Sequence, residues 1–561
     1  MQTGSEEFTE LLKQNNKMLT ERVREQANMI ENLQSTIDTL NASIANLQET
    51  IEDLRRRLFG TSSEKSEKSD DSEEICAGVA ETTTVKAHTR TRRPKSLRKD
   101  LYEKLPVRDV KYDVPESERK CPDCDAQMEH LGYKFVREEL RIIPAKVERV
   151  RILQETLVCP ACRSEDDTTI KAADTPKALM PHSPASASMT AMVMYEKSCN
   201  HMPFYRQEAD WKMKGVPLPR ETAANWYNTC ALEYFLPVYD RLHELLIKRD
   251  IIHADETVCQ VLHEEGKDPT SKSYMWIYTS GTDGLDPIAL YDYRSGRSGD
   301  YPVGFLKGFS GMLQCDGYSA YGRIEDVILV CCLAHCRRKF FEAVPAGRKK
   351  KLKLLDINSE QEIQEPDQEL LKDPELPAAE KGVMYCNSLF YLERRYKSLP
   401  AEERKNRRLE TEPQIWDAFW TWLDSLTPVG GSKLEKAVNY ALNHRDTLMN
   451  YLKDGRCEIS NNAAERRAKV YATGRKNFLF HDTEDGAKAS AVVLSIIETA
   501  KMNHLNVYQY LYLLLLYMPD YKGEPAGIEQ LLPWSEFIRE HCSGVMDTET
   551  VTAETRGSLP L

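Results

Sequence analysis

RDIIHADET, Arg249–Thr257, marks a change in the character of the chain. The residues before it, from about 175, read as helical. From Arg249 the apolar residues fall in short blocks of strand length, and the first block closes on two acids, Asp255 and Glu256. SYMWIYTS (Ser273–Ser280) and PIALYDY (Pro287–Tyr293) predict two further strands, joined by a Gly-rich turn at 281–284. A helix is expected over 301–308. GMLQCDGYSAYG (Gly311–Gly322) predicts a fourth strand that ends on Asp316, with Gly317 next. VILVCCLAHCRRKFFEA (Val327–Ala343) reads as a buried strand turning into a basic helix with His335, Arg337, Arg338 and Lys339. An acidic, Pro-containing segment follows, and then helix to about Leu452.

The next informative stretch is NNAAERRAKVYATGRKNFLF, Asn461–Phe480, where Glu465 stands among Arg466, Arg467, Lys469, Arg475 and Lys476. Two readings compete for this acid. Asn462 as N-cap with Glu465 three residues on has capping-box spacing. Alternatively, a carboxylate inside a phosphate-binding patch can hold a divalent ion. The order of the elements favours the second. Three hairpin strands, a helix, a strand, and then alternating strands and helices is the order of a ribonuclease-H-like fold. Its acids belong at the end of the first strand, after the fourth, and on a late helix. Asp255, Asp316 and Glu465 occupy those places. Two divalent ions about 3.5–4 Å apart can activate an attacking oxygen and stabilise a leaving one at phosphorus. Asp255 can bridge two Mg²⁺ (or Mn²⁺) ions, with Asp316 and Glu465 taking one each.

The remaining sequence frames this region. At 561 residues three or four domains are expected. The net charge of −12 is concentrated in two acidic stretches, 64–81 and 356–380, so it does not argue against a nucleic-acid partner. The 15 cysteines suit a reducing cytosol with free and metal-bound thiols, not a disulfide framework. No signal peptide or membrane-length apolar run is read, and LYLLLLYM (Leu511–Met518) is taken as a buried helix. Residues 1–60 carry a heptad pattern, with Val23, Ile30, Ile37, Ile44, Ile51 and Leu58 in one seam. Leu12, Leu19, Leu33, Leu40, Leu47 and Leu54 form the other, which predicts a parallel coiled coil joining two chains. Residues 61–118 are a polar linker with a basic arm, where Arg92 and Arg93 suit phosphate contacts. In 119–165, Cys121-Pro-Asp-Cys124 and Cys159-Pro-Ala-Cys162 predict a zinc-ribbon-like module around one structural Zn²⁺. Residues 175–248 are helical, with Phe204–Lys214 and Arg220–Tyr227 spaced either as a helix-turn-helix or as an ordinary helical hairpin.

These residues carry a resemblance to the insertion-sequence 66 family of DDE transposases. It rests on LRRRLFGTSSEK, CPDC…CPAC, PFYRQE, HADET, SGRSG, LQCDGYSAYG, CCLAHCRRKFFE, the Asn461–Phe480 stretch and GAKASAVVLSIIETAKMN. The resemblance implies a catalytic triad of Asp255, Asp316 and Glu465, and a helical insertion (about 345–450) within a catalytic domain at 249–480. It also implies transposon ends cut or nicked and joined to target DNA. A departure is Cys315, where the family tends to have Thr. A C-terminal helical segment (481–520) and a tail (521–561) complete the expected multidomain α/β architecture. Arg297, His335, Arg337, Arg338, Arg466, Arg475 and Lys476 are candidates for contacts with DNA, chiefly with its phosphates, while His335 is equally well read as a structural histidine. The expected partners are DNA (transposon ends and target), a second copy of the chain, and accessory proteins of the element. No membrane partner is expected, and the expected location is the cytoplasm, at the nucleoid. The competing readings are another metal-dependent nuclease on the same fold, such as a junction resolvase, and an inactive DNA-binding repressor.

Overall fold

The computed structural model describes residues 177–345 and 375–544 without a break. It also describes 170–172, most of 147–158, and the isolated positions Arg22, Gln26, Arg348, Lys349, Leu371, Asp373 and Leu559. The chain divides into two compact units, Met1–Glu139 and Leu140–Leu561. In the first, Arg22 and Gln26 alone are described, and both are helical. The coil's apolar seams, the basic arm with Arg92 and Arg93, and Cys121, Cys124, Cys159 and Cys162 lie outside the described residues.

In the second unit a short antiparallel pair, β1 (Thr156–Val158) and β2 (Ile170–Ala172), precedes four helices. These are α1 (Ala187–Ser198), α2 (Phe204–Met213), α3 (Arg220–Cys230) and α4 (Leu236–Leu246). A single π turn, Ala231–Phe235, carries α3 directly into α4. The turn between α2 and α3 opens on Gly215, whose φ of 80° lies in the left-handed region.

The sheet strands follow in the expected order: β3 (Ile251–Cys259), the short β4 (Val261–His263), β5 (Ser273–Ser280), β6 (Ala289–Arg294), helix α5 (Asp300–Phe305), then β7 (Met312–Cys315) and β8 (Ile328–Cys331). The five-stranded sheet has the order β6-β5-β3-β7-β8. β3, β5 and β6 form an antiparallel meander, and β7 and β8 continue parallel to β3. β3 is longer than the apolar block suggested and Asp255 lies inside it, because β5 stays paired with β3 as far as Cys259. On the other side β7 pairs only with Ile251–His253. The sheet therefore splits beyond His253, and the split opens at the carboxyl ends of the parallel strands.

Helix α6 (Leu333–Ala343) leaves β8 directly. Among the described residues four α-helices intervene before the next sheet-facing segment: α7 (Ala378–Tyr396), α8 (Ala401–Asp424), α9 (Lys433–Asn443) and α10 (Arg445–Met449). An aromatic cluster of Phe340, Tyr385, Trp416, Phe419 and Trp420 holds this group to α6. Arg408, fully buried, pairs with Glu393 and donates to the carbonyls of Tyr451, Asp454 and Cys457. That bond set fixes the approach to α11 (Asn462–Phe478).

After α11 a three-residue strand, β9 (His481–Thr483), pairs in parallel with β4. Helix α12 (Glu484–Met502) covers the exposed side of β6, an edge strand whose free backbone groups need partners. Ser495 Oγ accepts from Tyr291 N at 2.8 Å, and Thr499 Oγ1 accepts from Ala289 N at 3.1 Å and donates to Ala289 O at 3.0 Å. Helices α13 (Val507–Tyr521), α14 (Pro525–Gln530) and α15 (Glu536–Cys542) complete the chain, with Leu511 and Leu513–Met518 buried. One hydrophobic core runs through residues from Leu179 to Cys542, so the helices before and after the sheet pack into one body with it. Among the described residues no helix is long and apolar enough to cross a membrane.

Candidate active site

The register of β3 against β7 builds the site. His253 stands opposite Gln314, so Asp255 and Asp316 each lie two residues further along neighbouring strands. Alternate residues of a strand share a face, which sets Asp255 on the same side as His253. The segment leading into α11 crosses that side. Gln314 exchanges two hydrogen bonds with the backbone of Glu458, Nε2 to O at 2.6 Å and N to Oε1 at 2.9 Å. Three residues on, Asn461 is fully buried, and its Oδ1 lies 3.1 Å from Nδ1 of His253. Its Nδ2 donates to Ala254 O at 2.7 Å, just past the last β7 pair, and its backbone N–H donates to Cys332 Sγ at 3.1 Å. One turn later Glu465 arrives beside the two aspartates.

The capping reading of Glu465 is overturned here. The N-cap is Asn461, one residue earlier than the spacing suggested, and no side chain caps the helix. The Asn461 amide is fully used in holding β3, so a reciprocal box cannot form. Glu465 Oε1 is instead buried without a hydrogen-bond partner, 3.6 Å from His335 Nδ1, while Oε2 lies 3.7 Å from Arg338. Replacing Asn461 by Leu is expected to cost about 2–4 kcal/mol, because the Ala254 carbonyl and His253 Nδ1 are both left unpaired in the interior. Thermal unfolding of the two proteins measures it.

Asp316 sits on a turn clamped from the end of helix α9. Gly317 has a φ of 88°, and a Cβ there would come within 3.0 Å of the His444 ring and the Tyr440 hydroxyl. Tyr440 donates its hydroxyl to Asp316 O at 2.6 Å. Asp316 Oδ1 accepts from Tyr318 N at 2.8 Å, which leaves its other oxygen for a ligand. The end of α9 thus fixes the backbone that carries Asp316.

Electrostatics make the convergence visible. Burial first, then Glu256, Asp316 and Glu465, push the Asp255 carboxyl up to about 8, against a single backbone bond from Glu256 N that lowers it. Glu256 is itself neutralised by Arg297, which forms a salt bridge with it, stacks 3.9 Å from the Tyr318 ring, and leaves Tyr321 to donate to the second oxygen at 2.9 Å. Glu465, by contrast, meets Arg338 only at 3.7 Å, too far for a hydrogen bond. A cleft of about 240 Å³ lined by Asp255, Glu256, Thr257, His335, Arg338, Glu465 and Lys469 opens beside them. Crowded carboxylates, an orphaned carboxylate oxygen and all-oxygen donors fit a hard divalent ion.

The other candidate residues separate by position. Arg338 and Lys469 reach the cleft, and Arg338, Arg466 and Lys476 are exposed. His335 is at the cleft as well. Arg337 instead donates to Asn387 at 2.7 Å, and Arg297 is engaged by Glu256. Arg475 is half-buried, with its Nε buried and unpaired. Sequence reasoning missed Asn461, Tyr440, His444 and Cys332. Asn461 stood in view as the residue before the assumed cap. The others carry no local signal.

Comparison with known proteins agrees with this geometry at the level of family. The family profile described as "Transposase IS66 family" matches residues 182–489, and those for its zinc-finger binding domain and its C-terminal element match 118–163 and 495–534. A profile described as "Transposase C of IS166 homeodomain" matches 46–110. By these matches the chain is a DNA transposase, a multidomain α/β protein with zinc-finger and leucine-zipper regions. It belongs to the Transposase IS66 family. Two uncharacterized proteins of Sinorhizobium fredii, y4hP and y4qI, are 29% and 28% identical to it, over 90% of this chain and 90% and 92% of theirs. A solved structure, the Drosophila P element transposase strand transfer complex, aligns over 61% of this chain and 93% of that chain at 13% identity. Its TM-score is 0.20, and no argument rests on that likeness. The family implies a divalent metal and its zinc-finger region suggests zinc.

Proposed function

We propose that the chain binds the ends of an insertion sequence, cuts them in a metal-dependent reaction, and joins them to target DNA. The reading takes the sheet as ribonuclease-H-like and Asp255, Asp316 and Glu465 as its catalytic acids. The observation that carries it is their meeting: an acid within β3, one just after β7 and one on α11 are close enough for two of them to raise the third. Two Mg²⁺ (or Mn²⁺) ions bound there supply the charge that activates the attacking oxygen and stabilises the leaving one. Asp255, Asp316 and Glu465 would hold them. Arg338, Lys469 and the exposed cations of α11 orient the DNA through its phosphates, which positions the strand without reading its sequence. Tyr440 and Asn461 keep the second and third acids in place. Strand transfer by the full-length protein on labelled element ends in Mg²⁺ tests the reading, and cleavage without joined product would favour a resolvase-like nuclease instead.

The domain layout is part of the proposal. Residues 1–60 would pair two chains, 61–118 would link with a basic arm, and Cys121, Cys124, Cys159 and Cys162 would hold zinc in 119–165. The helical region 175–248 would add to DNA binding, and 249–480 would be catalytic, with its insertion at about 345–450. The segments 481–520 and 521–561 would close the chain, and the protein would act at the nucleoid, with or without accessory proteins of the element. Cys121→Ser is expected to remove about one zinc per chain and weaken end binding, measured by metal analysis and gel shift, while leaving the catalytic region folded.

A further inference from the structure

Cys332, His335 and Glu465 present a sulfur, a ring nitrogen and a carboxylate oxygen, all within 4.8 Å of one another. Two of these atoms, His335 Nδ1 and Glu465 Oε1, are buried without a hydrogen-bond partner. They face each other at 3.6 Å, too far apart to bond. Leaving two such atoms unsatisfied in the interior is costly, so a small species between them is a physical expectation. Cys332 is the N-cap of α6, and its sulfur already accepts the Asn461 N–H at 3.1 Å, the type of backbone donor that supports a coordinated thiolate.

We propose that Cys332, His335 and Glu465 form a site for a borderline transition-metal ion of the zinc class, sharing Glu465 with the hard-ion site. A sulfur–nitrogen–oxygen set suits Zn²⁺ or Co²⁺ and suits Mg²⁺ poorly. Tetrahedral zinc holds its donors about 3.3–3.8 Å apart, so the three atoms need move only slightly inward. As the sulfur–metal bond forms, the Cys332 thiol proton leaves to solvent. An ion so placed withdraws Glu465 from the magnesium-binding set. The inference rests on the proposed function only through that shared carboxylate.

The test reads metal, not activity. Full-length wild type, Cys332→Ala, His335→Ala and Glu465→Gln are stripped, reloaded with Zn²⁺, desalted and counted by atomic spectroscopy. Wild type is expected to retain one ion per chain more than each variant, and any ion in the Cys121–Cys162 module cancels in the difference. With Co²⁺, wild type minus His335→Ala should show a thiolate-to-cobalt absorption band that Cys332→Ala lacks. Cys332 is buried and its variant can misfold, so the two variants at partly exposed positions, His335→Ala and Glu465→Gln, decide the count. Equal zinc in those two and in wild type overturns the site. If the reloaded chain holds the extra ion but the zinc-free chain neither cuts nor joins DNA in Mg²⁺, the proposed function falls and this site stands.

Discussion

Replacing Asp255 by Asn is expected to stabilise the metal-free protein while abolishing strand cleavage. The carboxyl is raised to about 8 by burial and by Glu256, Asp316 and Glu465, whereas an unfolded aspartate titrates near ~4. The sign follows directly. A folded-state pKa above the unfolded one means that the folded protein binds the extra proton. The stability linked to that proton is fully present below about 4 and is lost as pH rises through about 8. Asn is neutral throughout and keeps the oxygen that accepts from Glu256 N at 2.9 Å. Before divalent ion is added, the variant and wild type should therefore melt alike near pH 4, and the gap in favour of the variant should widen toward pH 8. Four pKa units set an upper bound of about 5 kcal/mol, and water entry and relaxation should reduce it to about 1–3 kcal/mol. Added Mg²⁺ should reverse the order, because only wild type gains the ion. Cleavage should fall by on the order of a thousandfold or more, since a metal ligand is gone. A variant less stable than wild type at pH 8 without metal would refute the crowding of acids on which the site rests.

Much of this arrangement was legible because periodicity reports burial. SYMWIYTS gave β5 to the residue, and the acids at 255 and 316 were placed by the order of strands around them. What was not legible depends on partners distant in the sequence. The β4–β9 bridge pairs Val261 with His481 over two three-residue strands, too short for any pattern. Asn461 reads as a turn residue, yet its amide spans from β3 to α11. Arg297 reads as a phosphate contact, but the neighbouring Glu256 that it neutralises is brought to it by the β3–β5–β6 meander. Cys332 and His335 lie in an apolar run where core packing is the ordinary explanation, and only the approach of Glu465 gives them another use. The local sequence therefore identified the elements and two of the three acids with their strands. Which side chains are free at the end depends on how distant elements dispose of their neighbours.

Glu465→Gln is expected to give a protein that binds transposon ends but neither nicks nor joins them in Mg²⁺. The structure removes the capping-box account of Glu465, because Asn461 is the N-cap and spends its side chain on β3. Loss of a negative charge in the first turn of α11 should cost no more than about 0.5 kcal/mol of stability. The fold should therefore survive and melt within a few degrees of wild type. Catalysis is different, because Gln offers a neutral oxygen where the ion requires a charged one. The lost transition-state stabilisation should reach several kcal/mol, on the order of a thousandfold in rate or more. Binding should hold or tighten, since the lost charge lies beside Arg338 and Lys469 and among the exposed cations Arg466 and Lys476. Gel shift and single-turnover cleavage on the same labelled ends separate the two effects, with Asp316→Asn expected to behave alike. If Glu465→Gln cuts normally while both aspartate variants are dead, α11 contributes no ligand. Glu458 would be the nearest acid in sequence, but its backbone N–H and carbonyl are both tied to the side chain of Gln314, two residues short of Asp316. Glu465, with an oxygen left unsatisfied among the acids, is the group placed to serve.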